Sequence, residues 1–264
     1  MTKLGQRQLR DGRTVVLRLA VPGDVAAIAR LYMELSPESF RSRFQSGRAA
    51  PALADRLARF DGPSGTVCIV AAADDRTGRL AAEARSVPMG SDVAELGVTV
   101  LDEYQGSGLG HLLLAALVAQ SSQTGLQRLR AIVSLSNTPM LRLLEPYGWA
   151  LAAPTDLAVA SLEMSAVGGM PGWPRDVTGR RVLVEQRGMF ESERTASMRQ
   201  NGDDVRQCLG PRRGTGHACP LLESGRCRLA EEADLIVALL PSDDEDCARV
   251  LQAHRQRWPE RLAS

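Results

Sequence analysis

The spacing of apolar residues changes along the chain, and the changes mark its elements. Thr14 to Leu19, TVVLRL, is a short β-prone run. Pro22-Gly23-Asp24 breaks it, and Asp24 is placed to cap a helix over 25–34. Ser36-Pro37-Glu38 opens another helical turn, with Phe40 and Phe44 at i, i+4 on one face. Residues 51–60 fit a further amphipathic helix, and 62–65 a loop. The period then shortens. TVCIVAAAD (66–74) and RLAAEARSV (79–87) predict a hairpin around the turn 76–78. VAELGVTVL (93–101) predicts a third strand with a glycine at its middle. HLLLAALVAQSSQ (111–123) predicts a helix whose first half is almost wholly apolar. A strand at 129–135, a short helix within 136–148 and a strand at 157–164 complete the first region.

Residues 166–179, AVGGMPGWPRDVTG, are rich in glycine and proline and lack a period, so they are expected to be a linker. A buried-strand pattern restarts at 180–186, and ADLIVALLP (233–241) is a stronger one. A helix within 190–200 and a strand at 204–210 lie between them. Ser242 with Glu245 has capping-box spacing and opens a helix through about Trp258. The expected organisation is a domain over 1–165, the linker, and a small α/β unit over 180–264 with parallel strands.

Composition narrows the function classes. Apolar residues are 44% of the 264, charged residues 24%, and the net charge is +1. That balance gives no general attraction to nucleic acid or to an anionic membrane, and no basic cluster pairs with aromatics. Lys3 is the sole lysine among 32 basic residues. With the abundant alanine, this bias fits a GC-rich bacterial genome. No apolar stretch has the length of a membrane span, and the N-terminus has no secretory pattern. The five cysteines form no paired framework. A cytoplasmic location with reduced thiols is expected.

DEYQGSGLG (102–110) places three glycines where a strand hands over to a helix. Bare backbone at a helix N-terminus is suited to phosphate oxygens. The P-loop pattern fails, because His111 follows Gly110. The dinucleotide fingerprint fails too, because the spacing is G-x-G-x-G after strands that read as antiparallel. Gln105, Gly108 and Gly110 instead match the Gln/Arg-x-x-Gly-x-Gly/Ala pattern of the GNAT N-acetyltransferases. The element order over about 10–165 resembles that family, as does Asn137 followed by a short helix and Gly148-Trp149. AELGVTVLDEYQGSGLG and LSPESFRSRF (35–44) resemble bacterial protein-lysine acetyltransferases in particular.

The resemblance implies an α/β chain whose first domain has the α+β GNAT fold. Its mixed, mostly antiparallel sheet would splay at the acetyl-CoA site, between strands 93–101 and 129–135. The second unit is expected to be smaller and flavodoxin- or Rossmann-like. Backbone groups of Val98 and Val100 would pair with the pantetheine arm. Gln105 belongs to the same motif, and the amides of Gly106, Gly108, Leu109 and Gly110 would hold the diphosphate. Asn137 would bond the arm or a water, or simply cap its helix. Gly97 suits a bulge or a close approach.

Acetyl transfer to an amine calls for a base. Alternation puts Glu95, Gly97 and Thr99 on one strand face, and partial burial of Glu95 would raise its pKa. Glu83 on the neighbouring strand is the second candidate. The position where many relatives carry an acidic tyrosine is Leu144 here, which argues against a phenol acid. Acetyl-CoA is the expected cosubstrate, and the acceptor is a protein lysine or a small amine. A non-catalytic acyl-CoA sensor is the alternative, and a homodimer is open.

In the second unit, Cys208, His217, Cys219 and Cys227 are weak metal candidates, because H-x-C and C-x7-C depart from zinc spacing. Ordinary loop thiols are the favoured reading, so no metal is expected. A regulatory role is the natural expectation for this unit, with a substrate-docking or dimerisation module equally open.

Overall fold

The computed structural model describes residues 2–45, 47, 50–60, 63–74, 77–154, 158–189, 191–211 and 218–263. The chain forms two compact units, Met1–Leu126 and Gln127–Ser264. Each is described by itself.

In the first unit, strands β1 (Lys3–Gln8) and β2 (Thr14–Leu19) form a hairpin. Helices α1 (Val25–Glu34), α2 (Pro37–Phe44) and α3 (Pro51–Ala58) follow. Strands β3 (Val67–Ala73), β4 (Leu80–Pro88) and β5 (Val93–Val100) come next, then helix α4 (Leu109–Gln123). The strands pair antiparallel in the order β1-β2-β3-β4-β5. Helix α4 buries Leu109, Leu113, Leu114 and Leu117, and its Ser121 shares a 2.8 Å hydrogen bond with Ser86 of β4. On the other face of β4, Glu83 and Arg85 meet Tyr32 of α1. The sheet is therefore covered on both faces. Strand β1 was not expected from the pattern. Asp24 does not cap α1 with its side chain. Its carboxylate turns back to the Val21 N–H at 2.7 Å and to Arg18 at 2.6 Å.

The second unit opens with β6 (Arg128–Ser134), α5 (Thr138–Leu144), β7 (Trp149–Pro154) and β8 (Val159–Ser165). β9 (Arg181–Gln186), α6 (Glu193–Gln200), β10 (Asp204–Cys208), α7 (Pro220–Glu223) and α8 (Arg228–Glu232) follow. β11 (Leu235–Leu239), α9 (Glu245–Arg257) and β12 (Leu262–Ala263) end it. β6, β8 and β7 pair antiparallel, and β10 joins β7 antiparallel. β10, β9, β11 and β12 are mutually parallel in that order. Helix α9 is capped by Asp244, whose carboxylate accepts the Cys247 N–H at 2.9 Å, not by Ser242. Within the expected linker, Met170 and Trp173 are buried in a core with Leu183, Leu229 and Ile236. The Trp173 indole N–H donates to the Leu229 carbonyl at 2.9 Å. Among the described residues no helix is long and apolar enough to cross a membrane.

Glu163 of β8 is buried among three guanidiniums. Arg128 lies at 2.9 Å, Arg130 at 2.6 Å and Arg206 at 3.1 Å. Burial alone would raise its pKa, but Arg206, Arg128 and Arg130 outweigh burial and hold it below the ordinary 4.5. The stability it contributes is complete above that value and is lost as pH falls toward the depressed one. Glu163→Gln leaves buried guanidiniums without their counter-charge. It is expected to cost about 3–5 kcal/mol near neutral pH and to flatten the acid limb of stability. Urea unfolding across the acid range measures both.

Candidate active site

The sharp feature of the first unit is the passage from β5 to α4. Leu101 is buried, a 3-10 turn spans Asp102–Tyr104, and Gln105 returns to extended backbone. Gly106 and Gly108 then take φ of 73° and 89°. Side chains rarely adopt this left-handed region, so the two glycines are required by geometry. Gly110 lies inside the first turn of α4 and has no such constraint. The turn delivers the exposed backbone of Gly106 and the N-terminus of α4 to one place, where the helix dipole is positive. The β1–β2 turn adds a cation there. The Arg10 N–H donates to the Ser107 carbonyl at 3.0 Å, and the exposed Arg10 side chain passes Gly108.

Helix α2 is tied to this passage. The Asp102 carboxylate accepts from the Ser36 N–H at 3.0 Å and from the Ser36 and Ser39 hydroxyls at 2.7 Å each. Partial burial acts to raise the Asp102 pKa, but these donors hold it below its ordinary value. The Gln105 amide donates to Ser39 Oγ at 3.1 Å and to the Val100 carbonyl at 3.2 Å. The LSPES segment and the glycine turn, separate in sequence, are thus one hydrogen-bonded assembly.

The end of α2 reaches the face of β5 that carries Glu95, Gly97 and Thr99. Arg43 Nε donates to Thr99 Oγ1 at 3.1 Å, and its guanidinium lies where a Cβ at Gly97 would stand. The register of β5 on β4 runs unbroken through Gly97, opposite Arg85. Of the two expectations for Gly97, the structure shows the close approach and no bulge. Phe44 packs edge-on against Tyr32 with ring centres 4.8 Å apart. Sequence reasoning did not single out Arg43 or Arg10, since one arginine among many carries no local signal.

The two carboxylate candidates differ. Glu95 is half-buried on β5 opposite Val87. Glu83 is 0% exposed. Arg85 pairs with it directly, the Tyr32 hydroxyl donates to it at 3.1 Å and the Cys68 thiol at 3.5 Å. Arg85 also donates to the Tyr32 oxygen at 2.8 Å and to the carbonyls of Leu57 and Arg59 at 2.9 Å each. Glu83 therefore sits in a closed internal network, with no surface for an acceptor to reach.

Val98 and Val100 pair with Ala84 and Ala82 of β4, and the Val100 carbonyl already holds Gln105. In the second unit, Asn137 caps α5 by accepting the Met140 N–H at 3.1 Å. Leu144 is buried. Half-burial raises the pKa of Tyr147. Cys208, Cys219 and Cys227 line one cavity of the second unit, and His217 lies outside the described residues. Among the described residues no three His, Cys, Asp or Glu side chains are gathered tightly enough to hold one ion.

Residues 26–149 match the model of the Acetyltransferase (GNAT) family. Acetyltransferase Pat of Mycolicibacterium smegmatis is 34% identical over 160 residues, which is 60% of this chain and 47% of the relative. The chain thus spans about half the length of that curated relative. Among solved structures, the GNAT domain of S. lividans PAT is 25% identical with a TM-score of 0.52, covering 61% of this chain and 96% of that one. A cAMP-binding acyltransferase from Mycobacterium smegmatis is 28% identical with a TM-score of 0.43, over 75% of this chain and 52% of that one.

Gly108→Ala forces a side chain into the left-handed region and is expected to cost about 1–2 kcal/mol. Gly110→Ala, inside a helix, escapes that cost. Denaturant midpoints of the two variants give the comparison, and equal losses would contradict the geometry.

Proposed function

We propose that the chain is an acetyl-CoA-dependent N-acetyltransferase acting on a primary amine, most readily the side chain of a protein lysine. The observation that carries the reading is the left-handed Gly106–Gly108 turn at the N-terminus of α4, within the residues that match the GNAT family. In this reading the amides of Gly106, Gly108, Leu109 and Gly110 receive the diphosphate, and Arg10 adds a charge beside them. Val98, Val100 and Asn137 are assigned to the pantetheine arm, with Gln105 fixing the end of β5. The preference for lysine rests on the resemblance of LSPESFRSRF and AELGVTVLDEYQGSGLG to protein-lysine acetyltransferases.

Glu95 takes a proton from the acceptor ammonium, directly or through a water. The neutral amine attacks the thioester carbonyl, the C–S bond breaks, and CoA leaves as thiolate to be protonated by solvent. Arg43 lies on the same strand face and disfavours a second positive charge, which shifts the acceptor toward its neutral form. Glu83 is assigned to holding α1, α3 and β4 together through Arg85. We further assign 1–165 to the acetyltransferase domain and 166–179 to a packed connection. Residues 180–264 form a smaller flavodoxin-like, regulatory unit, supported by the parallel order β10-β9-β11-β12.

Glu95→Gln is expected to lower turnover by about 10²-fold or more with acetyl-CoA affinity nearly unchanged. Unchanged turnover removes Glu95 from the mechanism. Arg10→Ala is expected to raise the KM for acetyl-CoA, more so at low salt, with little change in kcat. Labelled acetyl-CoA incubated with a cell lysate separates acceptors. Label in protein supports lysine, label only in small molecules supports a free amine, and CoA binding without transfer indicates a sensor.

A further inference from the structure

The guanidinium of Arg43 is fixed over the middle of β5. Its Nε donates to Thr99 Oγ1 at 3.1 Å. Its central carbon lies 4.9 Å from the centre of the Phe44 ring. Phe44 is held in turn against Tyr32 and Phe40, with ring centres 4.8 and 4.7 Å apart.

The strand makes room for this group. A Cβ at Gly97 would overlap Cζ and both terminal nitrogens of Arg43. Gly97 has no positive φ, and β5 pairs with β4 unbroken through it. The backbone does not require glycine here, and the seat of Arg43 does.

One strand face thus carries two opposite charges that do not answer each other. Nη1 and Nη2 of Arg43 form no hydrogen bond or ion pair with a described residue, and neither does the Glu95 carboxylate. The buried carboxylate nearby, Glu83 opposite Thr99, is committed to Arg85. Arg43 and Glu95 are both half-buried. Successive positions on one strand face lie about 7 Å apart, and that is the step from Gly97, beneath Arg43, to Glu95. A fixed guanidinium with two free N–H edges, partly stripped of water, suits a carboxylate from outside. A purely cationic guest meets Glu95 but is repelled by Arg43. A guest with both signs answers both.

We propose that Arg43 is a specificity-determining residue, and that the acceptor is an amine carrying its own carboxylate. Nη1 and Nη2 donate to that carboxylate while Glu95 takes the ammonium proton. A protein lysine beside an acidic residue has this chemistry, and so does a free amino acid. The role rests on the acetyl-transfer reading and narrows its acceptor.

The test uses the full chain, acetyl-CoA and two pairs of acceptors, each pair differing by a carboxylate. One pair is end-capped peptides with a single lysine flanked by glutamate or by glutamine. The other is free lysine and 1,5-diaminopentane, the same amine chain without the carboxylate. In at least one pair, kcat/KM is expected to favour the carboxylate-bearing member by about 10-fold, less at high salt. Preference within the peptides assigns a protein acceptor, and preference confined to free lysine assigns an amino acid. Arg43→Gln brings the ratio near one. Gly97→Ala does the same, because its methyl group displaces the guanidinium without removing it. Arg43→Glu inverts the ratio. Damage to α2 alone slows both members of a pair and leaves their ratio intact. A ratio near one for both pairs in the wild-type chain overturns the role while transfer itself stands. So does a preference that survives both Arg43→Gln and Gly97→Ala. No transfer to any of these acceptors overturns the amine-acceptor reading, and the role falls with it.

Discussion

A single carboxylate, that of Asp102, joins the two working parts of the first unit. It accepts three hydrogen bonds from Ser36 and Ser39, and these set where α2 begins. The start of α2 determines where its far end brings Arg43, and Arg43 covers Gly97 two residues from Glu95 on the same strand face. Asp102 also opens the turn that leads to Gly106 and Gly108. The glycine turn proposed to cradle a diphosphate and the strand face proposed to meet an acceptor therefore share one anchor. Its charge is secured by the serine donors, which hold its pKa below the ordinary value, so the tie persists at neutral pH.

Buried charge organises both units, and arginine carries most of it. Arg85 satisfies Glu83, Tyr32 and two carbonyls at the C-terminal end of α3 with one planar group, a reach that an ammonium lacks. Arg128, Arg130 and Arg206 surround Glu163 in the second unit. Such clusters add little net stability because desolvation offsets attraction. Their effect is on register, since a slipped strand would leave a charge alone in the interior.

The sequence made some of this legible and hid the rest for physical reasons. Strands β2 to β5 and helix α4 were readable because apolar spacing changes visibly where the fold changes. The glycine turn was readable because left-handed backbone leaves a compositional mark. Strand β1, KLGQRQ, was not, because a mostly polar strand has no alternation to detect. Strand β7 lacked the β-branched residues that mark a strand. The cap of α9 was misplaced from Ser242 to Asp244, since both residue types cap and only geometry chooses. Arg10 and Arg43 acquire meaning only from the backbone they approach. The three cysteines of the second unit are spaced C-x10-C and C-x7-C, so their meeting at one cavity follows from strand topology alone.

The lone lysine has a consequence for the proposed acetylation of amines. Lys3 lies exposed on the polar strand β1, and the rest of the 32 lysine and arginine residues are arginines, whose guanidinium acetyl-CoA does not acylate at neutral pH. Under the proposed acetylation of amines, the chain would present almost no side-chain target of its own. If the proposal holds, copies of the chain would compete little with the acceptor for acetyl groups.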